Sequence, residues 1–141
     1  MSATPLTADI SIDVRDGVQG KTPAKATAST AIYLGSLVNR TTSTGFCLPA
    51  ADSTGVTFAG IAATAVASAT GNTVFEVFQK GDYLLKIQST ATEATVGLAV
   101  YVYDDNSVDL TANVTNHVKV GTVVEFVSAN LVRVRIDGNA A

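Results

Sequence analysis

Apolar residues along much of the chain alternate with polar ones in short runs, a spacing of two that is typical of half-buried β-strands. In the last run, residues 131–136, an aliphatic residue occupies every second position and two arginines stand between them. Residues 117–127 form a similar run, and the two flank the turn-forming residues 128–130. The pattern predicts a C-terminal β-hairpin, with a bulge at Gly121 in its first strand.

Earlier stretches rich in Val, Ile, Thr, Tyr and Phe end at Gly, Asn, Asp, Ser or Pro, as strands do. They predict strands from residue 32 to 38, with a loop over 39–45, and strands over 46–48, 56–67, 73–78, 83–87, 98–103 and 108–110. Residues 69–72 and 80–82 are expected to be turns, the second of which would make residues 73–87 a hairpin. Residues 56–67 are rich in Ala, but Gly60 and several β-branched residues favour strand over helix. The chain is therefore predicted to be all-β, a single small β-sandwich or β-barrel, with a jelly roll as one form of it.

The first thirty residues differ from the rest, because residues 21–30 contain almost no large apolar side chain. Such a segment buries little apolar surface, so we expect residues 1–30 to form an extended arm and residues 31–141 to form the β-domain. Within the arm, Ile10, Ile12 and Val14 alternate with polar residues. This alternation predicts a short strand that pairs with its own domain or with a neighbouring subunit.

Composition narrows the classes of partner. The chain has 141 residues, 47% hydrophobic and 15% charged, with a formal net charge of -3, which fits one domain with a continuous core. Its Lys and Arg residues are scattered and form no basic stripe, so no nucleic acid partner is expected. The longest mainly apolar stretch, residues 58–69, is too short to cross a bilayer, so no membrane partner is expected. The N-terminus lacks the basic start and apolar run of a signal peptide, which indicates folding in the cytoplasm.

Candidate catalytic side chains are few. His117 is the one histidine, and no residue beside it in the sequence is placed to make a nucleophile–base pair. Cys47 is the one cysteine and stands between Phe46 and Leu48, where a small buried hydrophobe is expected. The sequence therefore predicts no enzyme and no catalytic residues.

Metal and carboxylate sites are also weakly indicated. One His and one Cys are too few for a zinc site, and residues 104–109 lack the spacing and glycine of a calcium-binding EF-hand loop, so a polar turn is expected there. Glu76 and Glu125 are the candidate pair for glycoside chemistry, but both fall on strands as surface charges. Arg133 and Arg135 are expected to be solvated or to form ion pairs at an interface. No metal and no cofactor is predicted.

The order of short motifs carries a resemblance. A Thr- and Ala-rich arm precedes several glycine–strand units, and the last strand is basic and alternating. The motifs are Gly35-Ser-Leu-Val38, Phe58-Ala-Gly-Ile-Ala62, Gly81-Asp-Tyr83, Val96-Gly-Leu-Ala-Val-Tyr101, Val120-Gly-Thr-Val123 and Val132-Arg-Val-Arg-Ile136. In this order, over about residues 32–136, the chain resembles the small capsid decoration, or cement, proteins of tailed bacteriophages.

The resemblance implies a structural protein of the virion that is made in the host cytoplasm. Such a protein binds the major capsid protein on the outer surface of the head and bridges adjacent capsomers. It also implies a homo-oligomer, trimers being commoner in such proteins than dimers. An extended arm can add to a neighbour's sheet through main-chain hydrogen bonds, so the arm is the expected contact. Its candidate partner-binding residues are Ile10, Ile12, Val14, Lys21 and Lys25.

Two other functions stay open at this point. One is a small β-sandwich module that binds carbohydrate or a cell surface as part of a fibre or pilus assembly, which would require a concave aromatic site or a calcium site. The other is a hydrolase that uses Glu76 or Asp82.

Overall fold

The computed structural model describes residues 4–12, 14–15, 21–67 and 73–137, and its regular structure is almost entirely β-strand. Two short 3-10 turns, Glu93–Thr95 and Thr111–Asn113, are the helical elements of the described residues. The strands are β1 (Val14–Arg15), β2 (Lys21–Lys25), β3 (Leu37–Thr41), β4 (Cys47–Pro49), β5 (Val56–Ala62), β6 (Val74–Phe78), β7 (Lys80–Ile87), β8 (Ala99–Asp104), β9 (Ser107–Asp109), β10 (Lys119–Ser128) and β11 (Leu131–Asp137). The prediction of a small all-β fold is confirmed.

Strands β7–β11 form a closed barrel. Their hydrogen-bonded order is β7-β11-β10-β8-β9, and β9 pairs in parallel with β7, which joins the last strand to the first. Inward-facing side chains of these strands fill the interior, as the alternation of β11 predicts. The fully buried members include Tyr83, Ile87, Val100, Val102, Val108, Val120, Val123, Val132 and Val134. Strand β1 lies outside this ring, on the edge of β7.

Strands β2–β6 form a second layer, called here the first sheet, in the order β2-β6-β5-β3-β4. Its two outer strands come together at one point, where Ala26 and Cys47 form a parallel bridge. Its core is separate from that of the barrel and consists of small side chains around one aromatic ring. The buried members are Ala24, Ala26, Ile32, Val38, Cys47, Ala59, Ala62, Val66, Phe75 and Val77.

The first sheet and the barrel share one topology. If β2 is matched with β7, β3 with β8, and so on to β6 with β11, the order of hydrogen-bonded neighbours is the same in both. The match extends to individual residues, since the parallel bridge between Ala26 and Cys47 corresponds to the parallel pair of Ile87 and Val108. The chain therefore contains an internal structural repeat, residues 21–78 and residues 80–137.

Each half of the repeat has the same β-bulge, placed at a glycine. Gly60 of β5 pairs with Val38, and Gly121 of β10 pairs with Val100. In both pairs of strands the register shifts by one residue directly before the glycine. The predicted bulge at Gly121 is confirmed, and the one at Gly60 is its counterpart.

Both bulge glycines lie against a carbonyl oxygen of the next strand. A Cβ atom on Gly60 would stand 2.5 Å from the Phe78 oxygen, and one on Gly121 would overlap the Arg135 oxygen. Phe78 and Arg135 occupy matching places in the repeat, because each pairs with the residue after its glycine. Only glycine permits this approach of two backbones.

The predicted hairpin over residues 73–87 is wrong. Strand β6 pairs with β2 and β5 of the first sheet, whereas β7 pairs with β11 of the barrel, and Gln79 alone separates β6 from β7. Residues 80–82 do not turn the chain but begin β7. Gly81 has φ +126°, so the glycine bends the strand as it passes from one sheet to the other without reversing it.

Smaller boundaries also differ from the sequence pattern. The loop expected over residues 39–45 begins only after Thr41, because β3 pairs with β4 on one edge and with β5 on the other. The strand expected over residues 56–67 ends at Ala62. The C-terminal hairpin and the return of β9 across β8 are confirmed. The turn expected at residues 69–72 lies outside the described residues.

The structure incorporates part of the predicted arm into the first sheet. Strand β2 pairs along its length with β6, and Ala24 and Ala26 are buried in the core of that sheet. Alanine is small enough for this narrow core, which is why a segment without large apolar residues still packs inside. Within the described residues, the parts of the arm that lie outside the strands are residues 4–12 and, after the Ala26 bridge, residues 27–30.

We expect Gly60→Ala and Gly121→Ala each to lower the free energy of unfolding by about 2–3 kcal/mol, because the added methyl group meets a backbone oxygen that cannot move without breaking the sheet. Gly45→Ala is the matched control. Gly45 has φ +80° but open space around it, so only about 1 kcal/mol of backbone strain is expected there. Urea unfolding of the three variants measures the differences. A Gly121→Ala protein as stable as the parent would contradict the role given to the close approach.

Candidate interaction surface

Residues 4–12, with β1, form the N-terminal segment, which crosses the outside of the molecule. At its start, the Asn106 side-chain amide donates to the Thr4 oxygen over 2.8 Å, and the Leu6 N–H donates to the Asp105 carboxylate over 3.0 Å. Asn106 and Asp105 form the turn between β8 and β9, so this end of the segment is fastened to the barrel.

The middle of the segment is fastened to the first half of the chain. The Ile10 N–H donates to the Leu34 oxygen over 2.9 Å, and the Leu34 N–H donates to the Asp9 carboxylate over 2.8 Å. Gly35 follows with φ +86° and lies so close to Ile10 that a Cβ atom would stand 2.5 Å from the Ile10 side chain. The glycine thus makes room for the segment.

Beyond Ile10 the segment reaches the barrel again. Ile12 is half-buried against the barrel core. In β1, Val14 is paired with Tyr83 and Arg15 with Asp82, both in β7. The segment therefore pairs with its own chain, one of the two partners that the sequence pattern allowed.

A surface cleft of about 320 Å³ lies beside the segment. Ile10 and Ser11 of the segment line the cleft, together with Leu84 and Lys86 of β7. The other lining residues come from the barrel and from the first half of the chain: Gly35, Leu37, Leu85, Asp105, Asn106 and Leu131. Burial raises the pKa of the Asp105 carboxyl, the Leu6 N–H opposes this, and the neighbouring Asp104 charge adds to it. The cleft is mainly apolar, with an acidic and a basic group on its walls.

The candidate partner-binding residues fall into two groups. Ile10, Ile12 and Val14 belong to the N-terminal segment on the barrel, whereas Lys21 and Lys25 belong to β2 at the edge of the first sheet. Both lysines are exposed. The structure thus places the candidates on two different elements and does not bring them into one cluster.

The remaining basic residues of interest have partners within the chain. Arg135 makes a two-pronged ion pair with Asp82 over 2.8 and 3.0 Å, and Arg133 pairs with Glu125 over 3.2 Å. These pairs join neighbouring strands of the barrel on its outer face. Asp82 is buried, and its ion pair with Arg135 makes it a structural residue of the barrel wall.

The candidate chemical groups are held apart. Glu76 lies in β6 of the first sheet, 4.0 Å from Lys21, whereas Glu125 lies in β10 of the barrel. His117 is exposed and stands edge-on to the Tyr101 ring, 5.2 Å between centroids. Each glutamate instead pairs with a cation of its own sheet, Glu76 with Lys21 and Glu125 with Arg133.

Cys47 is buried as expected, and burial raises the pKa of its thiol, with Arg40 opposing the shift. A raised pKa disfavours the reactive thiolate. In the turn of residues 104–109, Asp104 accepts from Asn106 N and Ser107 Oγ, and Asp109 accepts from Ser89 Oγ over 2.6 Å. Among the described residues, no group of three or more His, Cys, Asp or Glu side chains is placed to hold a metal ion.

One anchoring residue was not anticipated from the sequence. The two Asp52 carboxylate oxygens accept the N–H groups of Thr115 and Asn116, both over 2.8 Å. The Asn116 side chain also donates to the Asp52 backbone oxygen over 3.0 Å. Asp52 precedes β5 and residues 115–116 precede β10, so this contact ties together the two halves of the repeat. The Asp-Ser-Thr-Gly turn sequence is a signal for a loop, but not for its partner.

No model of a known protein family matches the chain, and no curated protein is detectably similar to it in sequence. No helix among the described residues has both the length and the apolar character needed to cross a bilayer.

We expect Asp52→Asn to lower the free energy of unfolding at neutral pH by about 1–2 kcal/mol, since Asn has only one acceptor oxygen, so one of the two N–H groups loses its bond and the other bond loses its charge. Burial raises the pKa of Asp52, but the hydrogen bonds from Thr115 and Asn116 together lower it by more than burial raises it. The pKa of this carboxyl therefore lies below its ordinary value. A lowered pKa contributes stability above the unfolded pKa of about 3.9 and loses it as pH falls through the folded pKa. Urea unfolding from pH 7 to pH 3 should show the two proteins converging at the acidic end, and a constant difference would contradict this account.

We expect Gly35→Ala to loosen the N-terminal segment, because the new methyl group collides with Ile10 and the positive φ becomes strained. Hydrogen exchange at the Ile10 N–H should accelerate by about tenfold, which corresponds to about 1.4 kcal/mol of weaker docking. Exchange at Val134, inside the barrel, should not change. Adding Ile10→Ala removes the colliding side chain and should restore part of the protection; acceleration at both sites alike would show that the whole fold is affected.

Proposed function

We propose that this chain is a structural decoration protein that binds the outer surface of a tailed-phage head and stabilises it by bridging adjacent capsomers, as a homo-oligomer. The proposal starts from the order of motifs that resembles such proteins. Its partner would be the major capsid protein, and its location the virion.

The observation that carries the proposal is the course of the N-terminal segment. Several hydrogen bonds of residues 4–12 use backbone atoms of the segment, and most of its side chains are exposed. A segment fastened in this way presents side chains outward from a rigid support and suits contact with a large surface. Because a capsid offers many copies of one site, even a weak contact becomes tight when an oligomer reaches several copies at once.

The support itself is suited to bracing. The barrel has no free edge between β7 and β9, and two carboxylates on its outer wall, those of Asp82 and Glu125, pair with arginines. Such a body resists deformation because its strands form a closed hydrogen-bonded ring. A brace between capsomers needs this kind of rigidity more than it needs reactive groups.

We expect the purified chain to be an oligomer by light scattering and to pellet in a saturable manner with expanded, undecorated tailed-phage heads. Unexpanded heads are the control, since a decoration protein that recognises the mature lattice should not pellet with them. The Gly35→Ala variant should bind expanded heads more weakly if the N-terminal segment takes part.

A monomer that ignores expanded heads would overturn the proposal. The carbohydrate- or surface-binding alternative would then be examined by adding glycans and calcium to isotope-labelled protein and following the resonances of residues 101–117. Shifts confined to that region would support the alternative.

A further inference from the structure

Among the described strands, the outer edge of β2 is open at its Lys21 end, because β2 stands at the end of its sheet. Just beyond its other end, Ala26 and Thr27 contact Cys47 of β4. The Ala26 N–H donates to Thr73 of the neighbouring strand, so by alternation Ala24 and Thr22 also direct their backbone groups inward, toward β6. Lys21, Pro23 and Lys25 direct theirs to the outer edge. The parallel bridge of Ala26 with Cys47 takes the Lys25 carbonyl oxygen, just as the pair of Ile87 and Val108 takes that of Lys86. The edge therefore offers the N–H groups of Lys21 and Lys25 and the carbonyl oxygens of Lys21 and Pro23 to another strand.

The internal repeat shows how such an edge is used. Lys21 and Thr22 of β2 correspond to Asp82 and Tyr83 of β7, because they hold the same places in register with β6 and β11 respectively. In the barrel this edge is occupied, since β1 pairs with Asp82 and Tyr83. The matching edge of the first sheet has no such strand among the described residues.

The charges of the two edges are opposite. On β7 the residue at the edge is Asp82, which carries a negative charge. On β2 the corresponding residue is Lys21, and Lys25 stands on the same exposed face. Opposite charges on facing strands stabilise pairing and like charges oppose it. An occupant of the β2 edge should therefore carry carboxylates.

We propose that the outer edge of β2 binds an extended acidic segment of a partner protein, which adds to the first sheet as a further strand. In antiparallel pairing its acidic residues would face Lys21 and Lys25, four residues apart. The inference goes beyond the proposed function, since it concerns the edge itself and holds for any partner with such a segment.

The same edge disfavours its own copy. Two β2 strands paired together would bring lysines against lysines, and Pro23 lacks an N–H to donate. Lysine and proline at an edge are devices against self-association. The two lysines and Pro23 therefore disfavour a second copy of β2 at this edge. An acidic strand remains compatible, because its carboxylates attract the lysines and only the Pro23 position lacks an N–H group.

The test uses the full chain, isotope-labelled, and a capped peptide with the core Glu-Val-Thr-Val-Glu at low salt. We expect resonance shifts centred on β2 and slower hydrogen exchange at the Lys21 and Lys25 N–H groups. A peptide with the core Lys-Val-Thr-Val-Lys should not bind. A peptide with the core Val-Glu-Thr-Glu-Val has the same charge but cannot place both carboxylates opposite the lysines, so it should bind more weakly.

The variant with both Lys21→Glu and Lys25→Glu should bind the acidic peptide roughly tenfold more weakly and should gain binding of the lysine peptide. Lys86→Glu is the matched control, because Lys86 corresponds to Lys25 but lies in the barrel, where the edge at Asp82 and Tyr83 is already paired with β1, and it should change neither result. Shifts elsewhere, binding without protection of the Lys21 and Lys25 N–H groups, or no binding at millimolar peptide would each overturn the proposal.

Discussion

The closure of a sheet with only five strands is the constraint on which the rest of this molecule depends. So few strands can meet as a ring only if they coil strongly, and a β-bulge supplies the extra bend. The bulge brings one backbone against another, at Gly60 with Phe78 and at Gly121 with Arg135. Repetition of this contact in both halves indicates that the bend is part of the topology and not an accident of one strand.

The two halves of the repeat close to different degrees, and their cores differ in composition. The barrel interior holds valines, isoleucine and Tyr83, whereas the core of the first sheet combines four alanines and Cys47 with valines, Ile32 and Phe75. Leu37, Phe58 and Ile61 of the first sheet belong to the barrel's core cluster and form the seam between the two halves. The halves are thus one body, and Asp52 reinforces the seam at the surface.

The local pattern was sufficient for much of the fold. Alternation in β11 indicated which face is buried, and an isolated glycine in β10 indicated the bulge. The passage from β6 to β7 was missed, because Lys80-Gly81-Asp82 has the composition of a turn and nothing local shows which strand a neighbour will pair with. The repeat was missed for a related reason. The two halves have the same order of hydrogen-bonded strands but few identical residues at matching positions. The glycines Gly60 and Gly121 are one such pair.

The interaction surface was the part of the structure that could least be predicted from the sequence. Alternation marked Ile10 and Ile12, but the residues that hold the segment are distant in sequence, since Leu34 accepts from Ile10 and Asp105 accepts from Leu6. Lys21 and Lys25 were found from charge alone, and only the register of β2 shows which way their backbone groups point. Information of that kind lies in the pairing of strands and not in the residues themselves.

The docking of β1 on β7 also sets an order of events during synthesis. Among the described strands, every pair other than β1 with β7 lies within one half of the repeat. The first half can thus pair its strands as it leaves the ribosome, but β1 must wait for an edge that is completed only when β11, at Leu131–Asp137, joins β7. Strand β1, although made early, is therefore among the last to be fixed, whereas Asp9 and Ile10 can dock on Leu34 as soon as the first half has folded.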